Sequence, residues 1–277
     1  MKVFLTGGTG FIGSYVLRFL LERGVRVSAL RFAGTEPHLS TDLGELDWID
    51  GTMEDDFETI LTGCDAVIHL AAYGVNPAQN SWKEAIYWNV VCLERMLEAS
   101  KAAGVKRFVL AGSCFEYGLS GEQYEKIPVD APLLPNKAYD ASKAAATILA
   151  QAFARQNDLE LAILRPFQVF GVGEAPNRLW PSLKKAAEEG RDFEMTLGEQ
   201  LRDFVPVESV AQSFVAHALD QQIEGGCPVI KNLGTGVATS IADFARHWWS
   251  ECQATGALKM GALPYRDNEV MRFVPEV

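Results

Sequence analysis

An α/β fold, a doubly wound parallel sheet followed by a smaller C-terminal α/β lobe, is what this 277-residue sequence predicts. Three features predict it. Short apolar runs alternate with amphipathic stretches of helical length through residues 1–165. The first of those runs opens directly into a glycine-rich turn. After Arg165 the rhythm loosens, with Pro176 and Pro181 punctuating short helices and isolated strands, so residues 166–277 form the second lobe, with some segments returning to the first.

In chain order, Lys2 to Thr6 reads as a strand, and Phe11 to Arg23 as a helix with Ile12, Val16, Phe19 and Leu20 on one face. Val25 to Leu30 is a second strand and Leu46 to Asp50 a third. Glu54 to Leu61 reads as a short helix and Ala66 to Leu70 as a fourth strand. Trp82 to Ala103 is a long helix closed by Gly104, a suitable C-cap. Arg107 to Leu110 is a fifth strand. A Gly- and Pro-rich loop then leads to a second long helix, Tyr139 to Gln156, and a sixth strand, Leu159 to Leu164.

Composition narrows the class of partner. With 25 basic and 36 acidic residues the formal charge is −11, a field that repels nucleic acid and anionic membranes while leaving room for a local arginine site for phosphate. The three apolar residues Val3, Phe4 and Leu5, with Thr6 before the glycines, are too few for a signal-peptide core, and no run is long enough to span a bilayer. The five cysteines are scattered without a C-x-x-C pair, and the four histidines lack ligand spacing. These readings predict a cytoplasmic protein without a metal site.

Thr6-Gly7-Gly8-Thr9-Gly10-Phe11-Ile12-Gly13 satisfies both G-x-G-x-x-G and T-G-x-x-G-x-x-G at a strand-to-helix junction. Glycine is needed there because the backbone must turn tightly and let a pyrophosphate approach the helix N-terminus, as in Rossmann-type sheets. No Lys-Ser/Thr follows, which disfavours a P-loop. Where such a sheet often carries an acid for the ribose 2′-hydroxyl, at the end of the second strand, this chain has Arg31. Arginine suits a 2′-phosphate, so NADP(H) is expected ahead of NAD(H).

Tyr139-Asp140-Ala141-Ser142-Lys143 opens the second long helix, and its i, i+4 spacing sets Tyr139 and Lys143 on one face. A phenol exchanges protons near neutrality only with help, which a neighbouring ammonium supplies. Ser113, at the carboxyl end of the fifth strand, stands where ligands of parallel sheets bind.

With these residues in view, the chain resembles the extended short-chain dehydrogenases/reductases of the nucleotide-sugar epimerase, dehydratase and ketoreductase group. The likeness runs from the glycine loop through Val67-Ile68-His69-Leu70-Ala71-Ala72, Asn89, Ser113 to Gly118 and the Tyr139/Lys143 pair. It continues through Leu164 to Gly171, Arg202-Asp203-Phe204-Val205-Pro206-Val207 and Arg266. The resemblance implies that Tyr139 is the catalytic acid/base, Lys143 its partner and Ser113 a donor to the reacting sugar oxygen. It implies a cofactor site of Gly7, Gly10, Phe11, Ile12, Gly13, Arg31, Thr52, Met53, Leu70, Ala71, Ala72, Asn89, Tyr139, Lys143 and Pro166. His69 would support the sheet edge and cofactor. Ser113, Gln168, Arg202 and Arg266 would meet a nucleoside-diphosphate sugar, the two arginines clamping its diphosphate.

Departures from the family pattern narrow the reaction. Dehydratases of the group carry Asp-Glu after the Ser/Thr, where this chain has Cys114 and Phe115, so a 4,6-dehydratase is not expected. Thr52 replaces an Asp that usually meets the adenine, Gln168 replaces an Asn, and the chain ends at Val277 without the closing helical segment of many relatives. The tail Tyr265 to Met271, with Gly198 to Phe204, is most like the CDP-abequose synthase type. The expectation is NADPH-dependent reduction of the 4-keto group of a nucleoside-diphosphate 4-keto-6-deoxyhexose. A UDP-glucose 4-epimerase-like activity with NAD, or a non-catalytic NADP-binding role, stands as the alternative. By analogy the two long helices would join two copies as a homodimer.

Overall fold

A computed structural model describes residues 1–39, 44–76, 79–267 and 269–277; Asn268, in the tail run above, lies outside the described residues. The chain begins β1 (Lys2–Thr6), α1 (Phe11–Glu22), β2 (Arg26–Arg31), β3 (Leu46–Asp50), α2 (Phe57–Leu61) and β4 (Ala66–His69). It continues through α3 (Trp82–Ile86), α4 (Cys92–Ala102), β5 (Arg107–Ala111), α5 (Ala138–Asn157) and β6 (Glu160–Pro166). Each of the six strands expected from sequence is present, with ends shifted by a residue or two.

The remaining elements are β7 (Gln168–Phe170), α6 (Leu179–Glu188), β8 (Phe193–Met195), β9 (Leu201–Arg202), β10 (Phe204–Pro206), α7 (Val207–Leu219), β11 (Val229–Leu233), β12 (Thr239–Ser240), α8 (Ile241–Glu251), β13 (Leu258–Met260) and β14 (Arg272–Phe273). The main sheet has seven strands in the order β11-β6-β5-β4-β1-β2-β3, and every pairing in it is parallel. The order reverses between β1 and β4, and a crevice outside their carboxyl ends is where such sheets bind ligands.

Alternation along β1 explains the two layers. Val3 and Leu5 face one side, with Val16, Leu20 and Phe214 from α1 and α7; Phe4 faces the other, with Leu93, Met96 and Ala150 from α4 and α5. A sheet covered on both faces needs near-continuous apolar strands, and β4, β5 and β6 are buried along almost their whole length. Two smaller clusters lie apart from the sheet. Tyr117, Ile127, Phe167 and Phe273 form one, and Leu183, Met195, Ala245 and Trp249 the other. Among the described residues no helix is long and apolar enough to cross a membrane.

The Trp82 to Ala103 helix departs from its sequence reading. Tyr87–Val91 is a π-helical turn between α3 and α4. The wider turn admits one extra residue, and apolar periodicity barely registers such a step. The short helix expected from Glu54 starts instead at Phe57, capped by the Asp56 carboxylate, which accepts from the Glu58 N–H.

Candidate active site

The glycine turn is built for a backbone-to-ligand approach. Gly7 has φ of +74°, and a Cβ there would lie 2.8 Å from the Ala71 nitrogen; at Gly13 it would lie 1.9 Å from the Gly7 carbonyl oxygen. The turn closes with Gly10 N–H donating to Gly7 O at 3.0 Å. Gly10 caps α1 without any side-chain hydrogen bond, so the first N–H groups of this 12-residue helix stay available to an anion. Phe11 and Ile12 are half-buried at the mouth of the turn. A Cβ at Gly7 or Gly13 would strike the backbone after β4 or the turn itself, so glycine keeps the turn tight; with the α1 N-terminus left uncapped by any side chain, these residues fit the pyrophosphate of a dinucleotide.

Around this turn the other expected cofactor residues take their places. Thr6 Oγ1 accepts from the Ala71 N–H at 3.2 Å and meets His69 Nδ1 at 2.8 Å, while Leu70 N–H donates to Thr6 O. Burial pulls His69 down to about 3, with the Lys143 charge adding to the effect, so the ring is neutral and structural. Ala72 is exposed and Met53 buried, while Thr52 Oγ1 caps the turn by accepting from Glu54 N–H. Arg31 stands at the end of β2, its Nε donating to Asp50 at 2.7 Å and Nη1 to Glu36 at 2.9 Å, with the guanidinium 5.1 Å over the Trp48 ring.

Asn89 lies in the π-helical turn and faces inward. Its Oδ1 accepts from Tyr73 N–H at 2.8 Å, and its Nδ2 donates to Tyr73 O and to Ser142 Oγ, both at 2.9 Å. Ser142 Oγ donates in turn to Tyr139 O at 2.8 Å. One amide therefore ties the loop after β4 to the first turns of α5.

The three expected catalytic residues converge. The Ser113 side chain lies beside the Tyr139 phenol and favours its ionised form. Lys143, one turn along α5 and buried, donates through Nζ to the Ala111 carbonyl at the end of β5. Burial pushes the Tyr139 phenol well above its ordinary value, outweighing the pull of Ser113, while Cys114, Glu116 and Asp140 reinforce the rise. Burial lowers Lys143 to about 8 against the opposing pull of Glu116. Tyr139 is thus a proton-bearing phenol beside a hydroxyl that can share its proton.

The substrate-side residues lie on β7, β9 and the tail. Gln168 on β7 pairs with Phe204 on β10, and Pro166 ends β6 just before it. Arg202 is largely buried; its guanidinium donates to Glu269 at 3.2 Å and to Val270 O at 2.7 Å. Arg266 lies exposed three residues before Glu269, whose N–H bonds its carbonyl. Sequence reasoning missed Asp203, which is fully buried and accepts from Thr235 N–H, Thr235 Oγ1 and Gly236 N–H at 2.6 to 3.0 Å. It anchors the strand that carries Arg202. An acid inside an apolar run, directly after the arginine, was the available signal.

A dinucleotide cradle at the switch point and a Ser–Tyr–Lys cluster beside it define an NAD(P)-dependent enzyme, an oxidoreductase or epimerase. Residues 3–234 match the model of the NAD dependent epimerase/dehydratase family, and the chain belongs to that family. It is 26% identical over 275 residues to CDP-abequose synthase of Salmonella muenchen, covering 98% of this chain and 87% of the relative. It is 30% identical over 260 residues to UDP-glucose 4-epimerase of Lactobacillus helveticus, covering 85% and 77% respectively. Among solved structures, MoeE5 in complex with UDP-glucuronic acid and NAD superposes with a TM-score of 0.86 at 29% identity, covering all of this chain and 90% of that one.

Proposed function

We propose that this chain reduces the 4-keto group of a nucleoside-diphosphate 4-keto-6-deoxyhexose with NADPH. The observation that carries the reading is the placement of Tyr139 and Lys143 one turn apart on α5 with Ser113 just after β5, where burial favours the neutral phenol, as a donor to a forming alkoxide requires. When bound, the reduced nicotinamide supplies a hydride for the sugar carbonyl carbon. Tyr139 gives its proton to the oxygen at C4, and Ser113 orients that oxygen. Lys143, charged below about pH 8, steadies the phenolate that remains until solvent reprotonates it.

Arg31 at the end of β2 supports NADPH. The likeness to CDP-abequose synthase supports the sugar class, and Gln168, Arg202 and Arg266 stand for the diphosphate contacts. Residues 166–277, apart from α7 and β11, furnish the lobe that receives the nucleotide sugar. The five cysteines are all free, which accords with a cytoplasmic location. Exposed Trp82, Ile86 and Val91 on the helix after β4 and Ile148 on α5 support a homodimer through those helices.

One observation favours 4-epimerisation with NAD as a second reading. Asp50 and Glu36 both engage Arg31, placing two carboxylates where a 2′-phosphate would come, and MoeE5 is described with NAD. The deciding experiment supplies NADPH with dTDP-, CDP- and GDP-linked 4-keto-6-deoxyhexoses and follows absorbance. Oxidation with one of them is the expected result. Interconversion of UDP-glucose and UDP-galactose without added reductant, and no NADPH oxidation, would replace reduction with epimerisation.

A further inference from the structure

The end of β5 is clamped from two sides. Lys143 reaches it from α5 and donates to the Ala111 carbonyl. Two residues on, the Ser113 N–H donates to Glu116 Oε1 at 2.8 Å, while Ser113 Oγ accepts from Phe115 N–H at 3.2 Å. The intervening Gly112 makes room for this: a Cβ there would lie 2.7 Å from Glu116 Oε1 and 2.9 Å from Arg165 Cγ.

Glu116 is fully buried, and its second oxygen accepts from Arg165 Nε at 2.9 Å. Arg165, also buried, donates through Nη1 to the Tyr117 hydroxyl at 2.8 Å and to Val129 O at 3.0 Å. The Tyr117 hydroxyl donates to Asn232 Oδ1 at 2.7 Å, and Asn232 Nδ2 bonds the carbonyls of Ile127 and Glu276. A chain of polar contacts thus runs from Ser113 to the C-terminal segment.

A buried ion pair is weak evidence for stability, because desolvation offsets most of the attraction. Its residue type is demanded here by geometry. Two N–H donors, from Ser113 and Arg165, converge on the two oxygens of one side chain. A carboxylate accepts from both, whereas an amide has a single acceptor oxygen and would turn its NH₂ toward one donor. We propose that Glu116 is a positioning residue of this site, its carboxylate tying the Ser113 backbone to Arg165 and standing as counter-charge to the Lys143 ammonium.

The charges facing it are Arg165 from β6 and Lys143 from α5, with Tyr117 and Cys114 on its own turn. Lys143 faces Glu116 and the neutral His69 of β4. Glu116 also opposes ionisation of Tyr139, which keeps that phenol a donor. The inference rests on the assignment of Ser113, Tyr139 and Lys143 as the reacting set.

The test compares wild type with Glu116→Gln. Lys143 is titrated by the ¹⁵Nζ shift in ¹⁵N-lysine-labelled protein, assigned against Lys143→Met, and kcat and KM are measured with NADPH and the ketosugar. Lys143 should lose its proton about one pH unit lower in the variant. The kcat should fall at least about tenfold while KM moves less than about threefold, since Ser113 is misaligned and binding groups are intact. A wild-type Lys143 titration in Glu116→Gln would overturn the proposal.

If the single variant does not fold, Glu116→Gln/Arg165→Met removes both members of the buried Glu116–Arg165 pair, and the same titration reads the counter-charge missing from Lys143. An unchanged Lys143 there overturns the proposal equally. Tyr139→Phe separates the two readings: full turnover in that variant removes the assignment of the reacting set, whereas lost turnover there with unaltered Glu116→Gln removes only the role of Glu116.

Discussion

Asn89 Nδ2 donates to Ser142 Oγ at 2.9 Å, joining a π-helical turn to the helix that carries Tyr139 and Lys143. The same amide brackets Tyr73 through both backbone groups, so a single side chain registers the loop after β4 against α5. The π turn is what rotates Asn89 inward, and π turns occur often at functional sites.

Replacing Asn89 with Ala therefore leaves the Tyr73 N–H and carbonyl and one Ser142 bond unsatisfied in a buried place. The expected loss is about 1–3 kcal/mol of unfolding free energy. Urea titration measures it. A variant as stable as wild type would show that water replaces the amide there.

Tyr139→Phe removes the hydroxyl beside Ser113 and little else. Turnover is expected to fall by roughly 10²–10⁴-fold, the usual weight of a positioned acid. Binding of NADPH, followed by nucleotide fluorescence, should be nearly unchanged. Retained turnover would move the proton donor to another group.

Asp50 holds Arg31 at 2.7 Å. Asp50→Asn removes one negative charge beside the 2′ position and frees the guanidinium, so the ratio of NADH to NADPH dissociation constants should rise. A rise of about fivefold is the expected size for one exposed charge contact. A ratio unchanged in titration calorimetry would place the 2′ group away from this pair.

Glu174 follows β7 and is half-buried, with Oε2 lacking any hydrogen-bond partner among the described residues. Burial raises its carboxyl to about 7, against the lowering effects of Arg178 and the Gly171 backbone. A carboxyl raised on folding contributes stability that is complete below its unfolded value and lost as pH rises through its folded one. Glu174→Gln stays neutral throughout. Its melting temperature relative to wild type should climb from about pH 4.5 to about pH 7 and level off above that; a pH-independent difference would show that folding leaves the Glu174 carboxyl at its ordinary value.

Trp82 and Ile148 are each more than half exposed although large and apolar, one on α3 and one on α5. Light scattering should give the mass of a dimer, and Ile86→Lys with Ile148→Lys should give that of a monomer. A monomeric wild type at micromolar concentration would remove the proposed interface.

Features governed by neighbouring residues were legible in the sequence. The alternation of apolar runs announced a doubly wound parallel sheet, the glycine turn announced its helix N-terminus, and i, i+4 spacing put Tyr139 and Lys143 on one face. Arg31 was placed correctly at the end of β2, but the carboxylates that engage it come from β3 and from the segment just after β2. Arg202 and Arg266 were singled out through the family resemblance. The hold of Glu269 on Arg202 depends on a tail 67 residues away.

What the chain determines by itself is thus the local periodicity, the turn chemistry and the spacing of reactive groups along one helix. Only the tertiary structure decides which charges lose water and which partner meets them. Glu116 and Arg165 are 49 residues apart, and nothing in their spacing pairs them; packed together behind β5 they become a buried pair at the back of the site. The direction in which Tyr139 and Lys143 titrate is decided in the same way, because desolvation depends on every element that covers a group, and no spacing along the chain encodes that cover.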